Sequence, residues 1–143
     1  MSNPPSNTDD VIDSKDVIER IADLDAERAA LVVELESASA EGGEGEAAAR
    51  EDLDDWDIDN GEELAALRAL AKEGESYAPG WQYGETLIRE SYFTDYCEEL
   101  LKDIGDLPRD LPGYLVIDWE ATANNIRIDY TEVDFDGVTY LFR

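Results

Sequence analysis

The sequence predicts an α+β fold, in which a coiled-coil-like N-terminal helical hairpin arm is followed by a small helical domain that ends in a β-hairpin. Three observations predict it. Apolar residues recur at helical spacing through the N-terminal half. The glycine-rich stretch EGGEGE at 41–46 breaks that half into two helices. Asp136-Gly137 separates two β-rich runs near the C-terminus, which is typical of a type I′ turn between paired strands.

Composition divides the chain into three parts. Residues 1–12 are polar and proline-rich, and we expect a disordered tail there. Residues 13–75 are expected to form the acidic helical hairpin, and Trp56 is the single aromatic among residues 1–75. Residues 76–143 contain the other twelve aromatics and are expected to form the packed module.

The first helix is expected to begin at Asp13 or Ser14, whose side-chain oxygens can accept hydrogen bonds from free N–H groups of the first turn. Its apolar residues recur at spacings of three and four, with Arg28 as one interruption, and form a heptad seam: Val17, Ile21, Leu24, Leu31 and Leu35. The seam predicts either an amphipathic helix on its own domain or a coiled-coil pair. Such a pair would form within the chain or across a homodimer.

The second helix is expected to cover part of 47–73, with a split at Asn60-Gly61 where Asn60 caps the later piece. A loop follows, and its three aromatics are expected to be exposed: Tyr77, Trp81 and Tyr83.

The module is expected to contain two helices before its hairpin. The 3,4 spacing over residues 85–105 predicts a single helix with Gly105 as its C-cap. A shorter helix is expected to be capped by Asp118 and to turn Ala123 and Ile126 inward.

The chain carries 37 acidic and 11 basic residues, a net charge of −26. Such a charge repels nucleic acid and anionic membranes, because binding to either depends on Lys and Arg. A partner should therefore be a basic protein. No apolar run reaches the length of a membrane span, and the pattern of a signal peptide is missing, so we expect a cytoplasmic protein.

The residue types present disfavour catalysis. The chain lacks histidine, which removes the usual general base and most transition-metal sites. Its one cysteine, Cys97, lies on the apolar side of a predicted helix, which favours a buried structural thiol over a nucleophile. No phosphate-binding loop or dinucleotide fingerprint is present. We expect a protein that is not an enzyme and that uses no cofactor or metal.

The stretch EDLDDWDIDNGEE at 51–63 holds eight carboxylates in thirteen positions. Calcium binding, solvation and imitation of another dense negative charge would each explain it. As a helix the stretch spans roughly 20 Å, or about one charge per 2.5 Å. Duplex DNA carries about one charge per 1.7 Å of axis, so the densities are comparable.

The calcium explanation fails on spacing. Asp55, Asp57 and Asp59 match the first three ligands of an EF-hand loop. The loop then requires glycine at its sixth position and glutamate at its twelfth. The chain has Asn60 and Ala66 there, so we expect no specific metal site.

Residues 83–143 contain four short patterns in a fixed order: YGETLI, SYFTDY, DWEATA and DYTEVDFDGVTY. In these patterns the chain resembles the ArdA-type antirestriction proteins of phages and mobile elements. The resemblance implies an acidic DNA mimic that occupies the DNA groove of a type I restriction–modification enzyme in a bacterial cell. ArdA proteins have three such domains in a row, and this chain has one. Another defence enzyme, for instance a CRISPR effector complex, is therefore also an expected target.

Two sets of carboxylates are expected to bind the partner. The carboxylates of the arm are predicted from charge density alone: Glu51, Asp52, Asp54, Asp55, Asp57, Asp59, Glu62 and Glu63. The resemblance implies those of the module: Glu85, Asp95, Glu98, Glu99, Asp103, Glu120, Asp129 and Asp134. Asp118 and Asp136 also match, although a helix cap and a turn are sufficient reasons for them.

Two other functions are consistent with the sequence. A non-catalytic adaptor would dimerise or bind through the heptad helix and the aromatic loop, with charge serving only solubility. A housekeeping protein of a halophile would be acidic because of its environment.

Overall fold

The computed structural model describes residues 4–105 and 110–143. Helix and strand are mixed in these ranges, which confirms the predicted α+β class. The elements are β1 Val11–Asp13, α1 Ser14–Ala40, α2 Gly45–Tyr77, β2 Thr86–Arg89, α3 Phe93–Asp103, α4 Trp119–Arg127, β3 Thr131–Phe135 and β4 Val138–Phe142. Short 3₁₀ turns at Trp81–Tyr83 and Glu90–Tyr92 precede β2 and α3.

The four strands form one antiparallel sheet in the order β1-β2-β4-β3. The predicted C-terminal hairpin is confirmed as β3 and β4. Its turn residues Asp136 and Gly137 have φ values of 49° and 84°. A type I′ turn requires positive φ at both central positions, so this dipeptide fits the turn.

Each face of the sheet is covered by a helical layer. Successive residues of a strand point to opposite faces, and Leu87 and Ile88 of β2 therefore enter different cores. Leu87 lies in the core under the hairpin of α1 and α2. Ile88 packs with Leu141, Phe93 and Cys97 in the core under α3 and α4. The sheet thus separates the hairpin from the other two helices.

The hairpin of α1 and α2 is held to the sheet at one end only. Val17 and Leu24 of α1 have no exposed surface and share a core with Leu67 and Leu70 of α2. From residue 25 to residue 63, by contrast, no side chain is buried. We call residues 25–63 the outer hairpin. It consists of two helices that pack on each other, and its half-buried Trp56 packs against the core.

Both predicted N-caps are confirmed. The Asp13 carboxylate accepts a hydrogen bond from the backbone N–H of Lys15 at 2.9 Å, so α1 begins directly after β1. The Asp118 carboxylate accepts one from the N–H of Ala121 at 3.0 Å and fixes the start of α4.

The N-terminal segment is ordered, so the prediction of a disordered tail over 1–12 is wrong for residues 4–12. Residues 1–3 lie outside the described residues. β1 pairs with β2, and the Tyr140 hydroxyl donates to the backbone carbonyl oxygen of Asp9 at 2.6 Å. These contacts join distant parts of the chain, and local composition therefore could not reveal them.

The single helix predicted over 85–105 is wrong over its first part, where β2 lies, and right where α3 lies. β2 is hydrogen-bonded to β1 on one side and to β4 on the other. Its residues are also covered on both faces. This tertiary setting outweighs the helix propensity of the sequence ETLIRES.

The split predicted at Asn60-Gly61 is also wrong, because α2 continues through both residues. The side-chain amide of Asn60 donates to the backbone carbonyl oxygen of Trp56, one turn earlier, at 3.2 Å. Asn60 therefore bonds back along the helix and does not cap a second one.

The aromatic loop is only partly exposed. Tyr77 and Tyr83 are 60% and 72% exposed, as predicted, but Trp81 is 1% exposed and its predicted exposure is wrong. The indole ring packs on Gly74 of α2, where a Cβ would overlap the ring. The Ser14 hydroxyl donates to the backbone carbonyl oxygen of Trp81 at 2.6 Å. Trp81 thus fixes the loop to both helices of the hairpin.

Candidate functional site

The acidic residues of α2 are distributed around the helix by its period of 3.6 residues. Leu64, Leu67 and Leu70 define the side that faces the core. On the opposite side four exposed carboxylates fall at spacings of three, one and seven: Glu51, Asp54, Asp55 and Glu62. Within the described part of the chain none of the four forms an ion pair. We call this row the α2 ridge.

Two other predicted carboxylates of α2 bind arginines of α1. Arg28 donates to Asp57 through Nε at 2.8 Å and Nη2 at 3.2 Å. Arg20 donates to Glu63 through the same two atoms, Nε at 2.7 Å and Nη2 at 3.1 Å. The hydrogen bonds from Arg28 hold the pKa of Asp57 below its ordinary value. Asp57 and Glu63 thus hold the hairpin together and contribute less free charge than predicted.

The remaining arginines of the hairpin are paired as well. Arg68 of α2 binds Asp25 of α1, and Arg50 binds Glu46 one turn away at 3.4 Å. All four hairpin arginines therefore neutralise neighbouring carboxylates, and the excess negative charge of the hairpin remains on the unpaired ones.

A cleft between α2 and the turn of the β-hairpin brings part of the predicted set together. Asp59, Glu62 and Glu63 line one wall, and Asp134 and Asp136 line the other. Its apolar lining comes largely from small residues of α2: Ala65, Ala66 and Ala69. The structure thus joins Asp134, predicted through the module, to carboxylates predicted through the arm. Asp52 is exposed nearby on α2.

The other predicted carboxylates of the module lie elsewhere. Asp95, Glu98, Glu99 and Asp103 are on α3 and Glu120 is on α4, across the sheet from the hairpin. Asp129 follows α4, and Glu85 is half-buried in the loop before β2. The predicted site is therefore divided into two acidic regions on opposite sides of the sheet.

Two acids of α3 have partners on their own side of the sheet. Lys102 binds Glu98 at 3.2 Å. The Tyr92 hydroxyl donates to Glu99 at 3.0 Å, and this bond raises the pKa of Tyr92. Lys102 thus neutralises Glu98, whereas the bond from the Tyr92 hydroxyl leaves the charge of Glu99 in place.

The predicted heptad seam is used inside the chain. Val17 and Leu24 have no exposed surface, and Ile21 packs against the same core. Leu31 and Leu35 are half-buried along the outer hairpin. The seam therefore joins α1 to α2 within one chain, and Val17 and Leu24 cannot also serve as a dimer seam.

One exposed apolar residue in this region was missed. Ile58 lies on the α2 ridge between Asp54 and Glu62, four residues from each, and is 77% exposed. Its position at helical spacing within an acidic row was the available sequence signal. An isoleucine there adds apolar contact area to a surface that is otherwise charged.

Thiol reactivity and metal binding find no support in residues 4–105 and 110–143. Cys97 is buried, which raises the pKa of its thiol and disfavours the reactive thiolate. Among the described side chains, no group of three or more Cys, Asp or Glu residues is placed to hold a metal ion. None of the helices in this part of the chain is long and apolar enough to cross a membrane.

Comparison of the chain with protein-family models, with curated proteins and with solved structures found no match. The resemblance to ArdA-type proteins stays a prediction.

Proposed function

We propose that this protein is a non-catalytic DNA mimic that inhibits a nucleic-acid-binding defence enzyme of a bacterial cell by occupying its basic DNA groove. The observation that carries the proposal is the α2 ridge. Its unpaired carboxylates lie along the outer half of α2, on the side opposite Leu64, Leu67 and Leu70. The target would be a restriction–modification enzyme or a CRISPR effector, and the site of action would be the cytoplasm.

The charge density supports the proposal after ion pairing is taken into account. Residues 51–63 span roughly 20 Å of helix. Two of their eight carboxylates bind arginine. The six that remain give about one free charge per 3 Å, against about one per 1.7 Å of duplex DNA. A groove that binds phosphates through Lys and Arg would attract such a row.

The shape of the outer hairpin supports the same conclusion. Its α2 portion, from Gly45 to Glu63, is about 28 Å long at 1.5 Å per residue. The two helices are braced by the Arg20–Glu63 and Arg28–Asp57 pairs. A braced helical pair holds its carboxylates at fixed spacing, so less conformational entropy is lost on binding than for a disordered acidic tail.

A substitution experiment tests the proposal. The ridge variant carries Glu51→Gln, Asp54→Asn, Asp55→Asn and Glu62→Gln. The matched control removes four charges across the sheet, through Asp95→Asn, Asp103→Asn, Glu120→Gln and Asp129→Asn. Inhibition of type I restriction enzymes and CRISPR effectors should be lost in the first and retained in the second. Equal inhibition by both variants would exclude the ridge as the inhibitory surface.

A capture experiment identifies the target. Tagged protein is incubated with lysate of bacteria that carry these defence systems, and bound proteins are eluted with rising salt. A nucleic-acid enzyme should elute as salt increases and be displaced by duplex DNA, because both compete for the same basic groove.

The exposed Tyr77 and Tyr83 favour a second candidate, a non-catalytic adaptor that binds through the aromatic loop. Capture would then resist salt and DNA, and alanine at both tyrosines would abolish it while the ridge variant would not.

A further inference from the structure

We infer that a second copy of this chain docks on the hairpin groove, a shallow apolar channel along one side of α1 and α2. Its apolar lining consists of Ala29, Val32, Val33, Gly61, Leu64 and Ala65. Val33 is 59% exposed, and Ala29 and Ala65 are exposed as well. The inference does not rest on the proposed function.

The charge of the groove distinguishes it from the rest of the hairpin. The groove is lined by two of the ion pairs that join α1 to α2, Arg28–Asp57 and Arg68–Asp25. Glu36 is the remaining charged residue of the lining, so the groove is close to neutral. The α2 ridge, on the outward side of the same helix, has only carboxylates among its charges.

This distribution of charge favours a second copy of the chain as the binding partner. In a twofold dimer each surface patch meets its own copy. A patch of carboxylates would face like charge, which opposes association. The hairpin groove has charges of both signs, so the arginines of one copy can face the carboxylates of the other. The groove is therefore apolar, and its charges are complementary to those of the same groove on a second copy.

The occupied groove would also complete the packing of the outer hairpin. No side chain is buried between residues 25 and 63. Two hairpins packed groove to groove form a four-helix bundle, in which residues such as Val33 acquire apolar neighbours.

Sedimentation equilibrium of the full chain tests the inference. We expect a reversible equilibrium between a 15.9 kDa monomer and its dimer. Association should strengthen between about 0.01 M and about 1 M salt, where the Debye length falls from about 30 Å to about 3 Å and the repulsion between two chains of charge −26 is screened. A monomer at every concentration and salt, or association weakened by salt, overturns the inference.

Two neighbouring alanines of α1 provide a matched pair of variants. Ala29 lines the groove, and Ala30 is exposed but does not line it. Ala29→Glu should raise the dimer Kd by about tenfold or more, because it places like charges face to face. Ala30→Glu adds the same charge and should leave the Kd within about twofold of the original, since it is outside the contact. Equal weakening by both variants, each with unchanged helical circular dichroism, overturns the inference.

Discussion

The indole ring of Trp81 lies directly on the Cα of Gly74, in space that a β-carbon would need. This contact joins the loop before β2 to the last turn of a 33-residue helix. Glycine is a poor helix former, and its presence in α2 has a steric reason at this position.

Gly74→Ala should therefore destabilise the protein. We expect the free energy of unfolding to fall by about 1–3 kcal/mol, because a buried ring must move to admit the methyl group. Chemical denaturation followed by circular dichroism measures the change.

Gly61→Ala is the matched control in the same helix. Nothing lies within 4 Å of a Cβ built at Gly61. The alanine should stabilise the helix by about 0.5–1 kcal/mol. Stability changes of the same sign at both glycines would contradict the steric account of Gly74.

The Arg28–Asp57 pair predicts a pH dependence. Hydrogen bonds from the guanidinium lower the pKa of Asp57 in the folded state. Its contribution to stability is therefore complete above the unfolded pKa of about 3.9 and is lost as the pH falls through the folded value. Carboxyl NMR titration should show Asp57 titrating below the ordinary range. In Arg28→Gln it should return to that range, and an unchanged titration would show that the pair does not persist in solution.

Tyr140 predicts a pH dependence at the alkaline end. Burial raises the pKa of its hydroxyl to about 12. Stability should be complete below the unfolded pKa of about 10 and should fall as the pH rises from there through the folded value. Tyr140→Phe should reduce the slope of stability against pH in this window. A slope identical to that of the original protein would place the hydroxyl in solvent.

Tyr140→Phe should also loosen the N-terminal segment, because the hydroxyl donates to the carbonyl oxygen of Asp9. The expected loss at neutral pH is about 1 kcal/mol. Amide hydrogen exchange at β1 should accelerate more than exchange at β3, on the far edge of the sheet. Equal acceleration at both strands would indicate general rather than local loosening.

The outer hairpin should open more easily than the rest of the molecule. It contains no buried side chain between residues 25 and 63, and amides of such segments exchange through local opening. Amides near Leu67 should exchange more slowly. Added salt should slow exchange in the outer hairpin by screening its carboxylates.

Folding in dilute buffer separates the proposed function from halophilic acidity. A mimic should retain its helical circular dichroism without added salt. A halophilic protein should lose it there and regain it in concentrated salt. Loss of helix in dilute buffer would therefore favour environmental adaptation.

The elements that sequence could predict are those with a local cause. The turn at Asp136-Gly137, the caps at Asp13 and Asp118 and the apolar period of α1 depend on neighbours in the chain. β2 was missed because its strand conformation depends on partners far away in sequence. Trp81 was misplaced for the same reason, since Gly74 and Ser14 cover it.

The same distinction between local and distant causes applies to the candidate site. Charge density could single out the acidic stretch of α2 for the prediction, because it depends on composition alone. Which of them are neutralised depends on how α1 and α2 pack. Asp57 and Glu63 pair with arginines of α1, whereas Asp54 and Glu62 form no ion pair with the residues that the structure describes. Sequence could not show that the sheet separates the acids of α3 from those of α2.

The strand order has a consequence for synthesis on the ribosome. β4 lies between β2 and β3, yet it is translated after both. β2 can pair with β1 during translation, but it has no partner on its other side until Phe142 has left the exit tunnel. Until then the apolar side of the helical hairpin has an incomplete sheet to cover. The nascent chain therefore exposes this surface until β4 is available, and during that time the surface is open to aggregation.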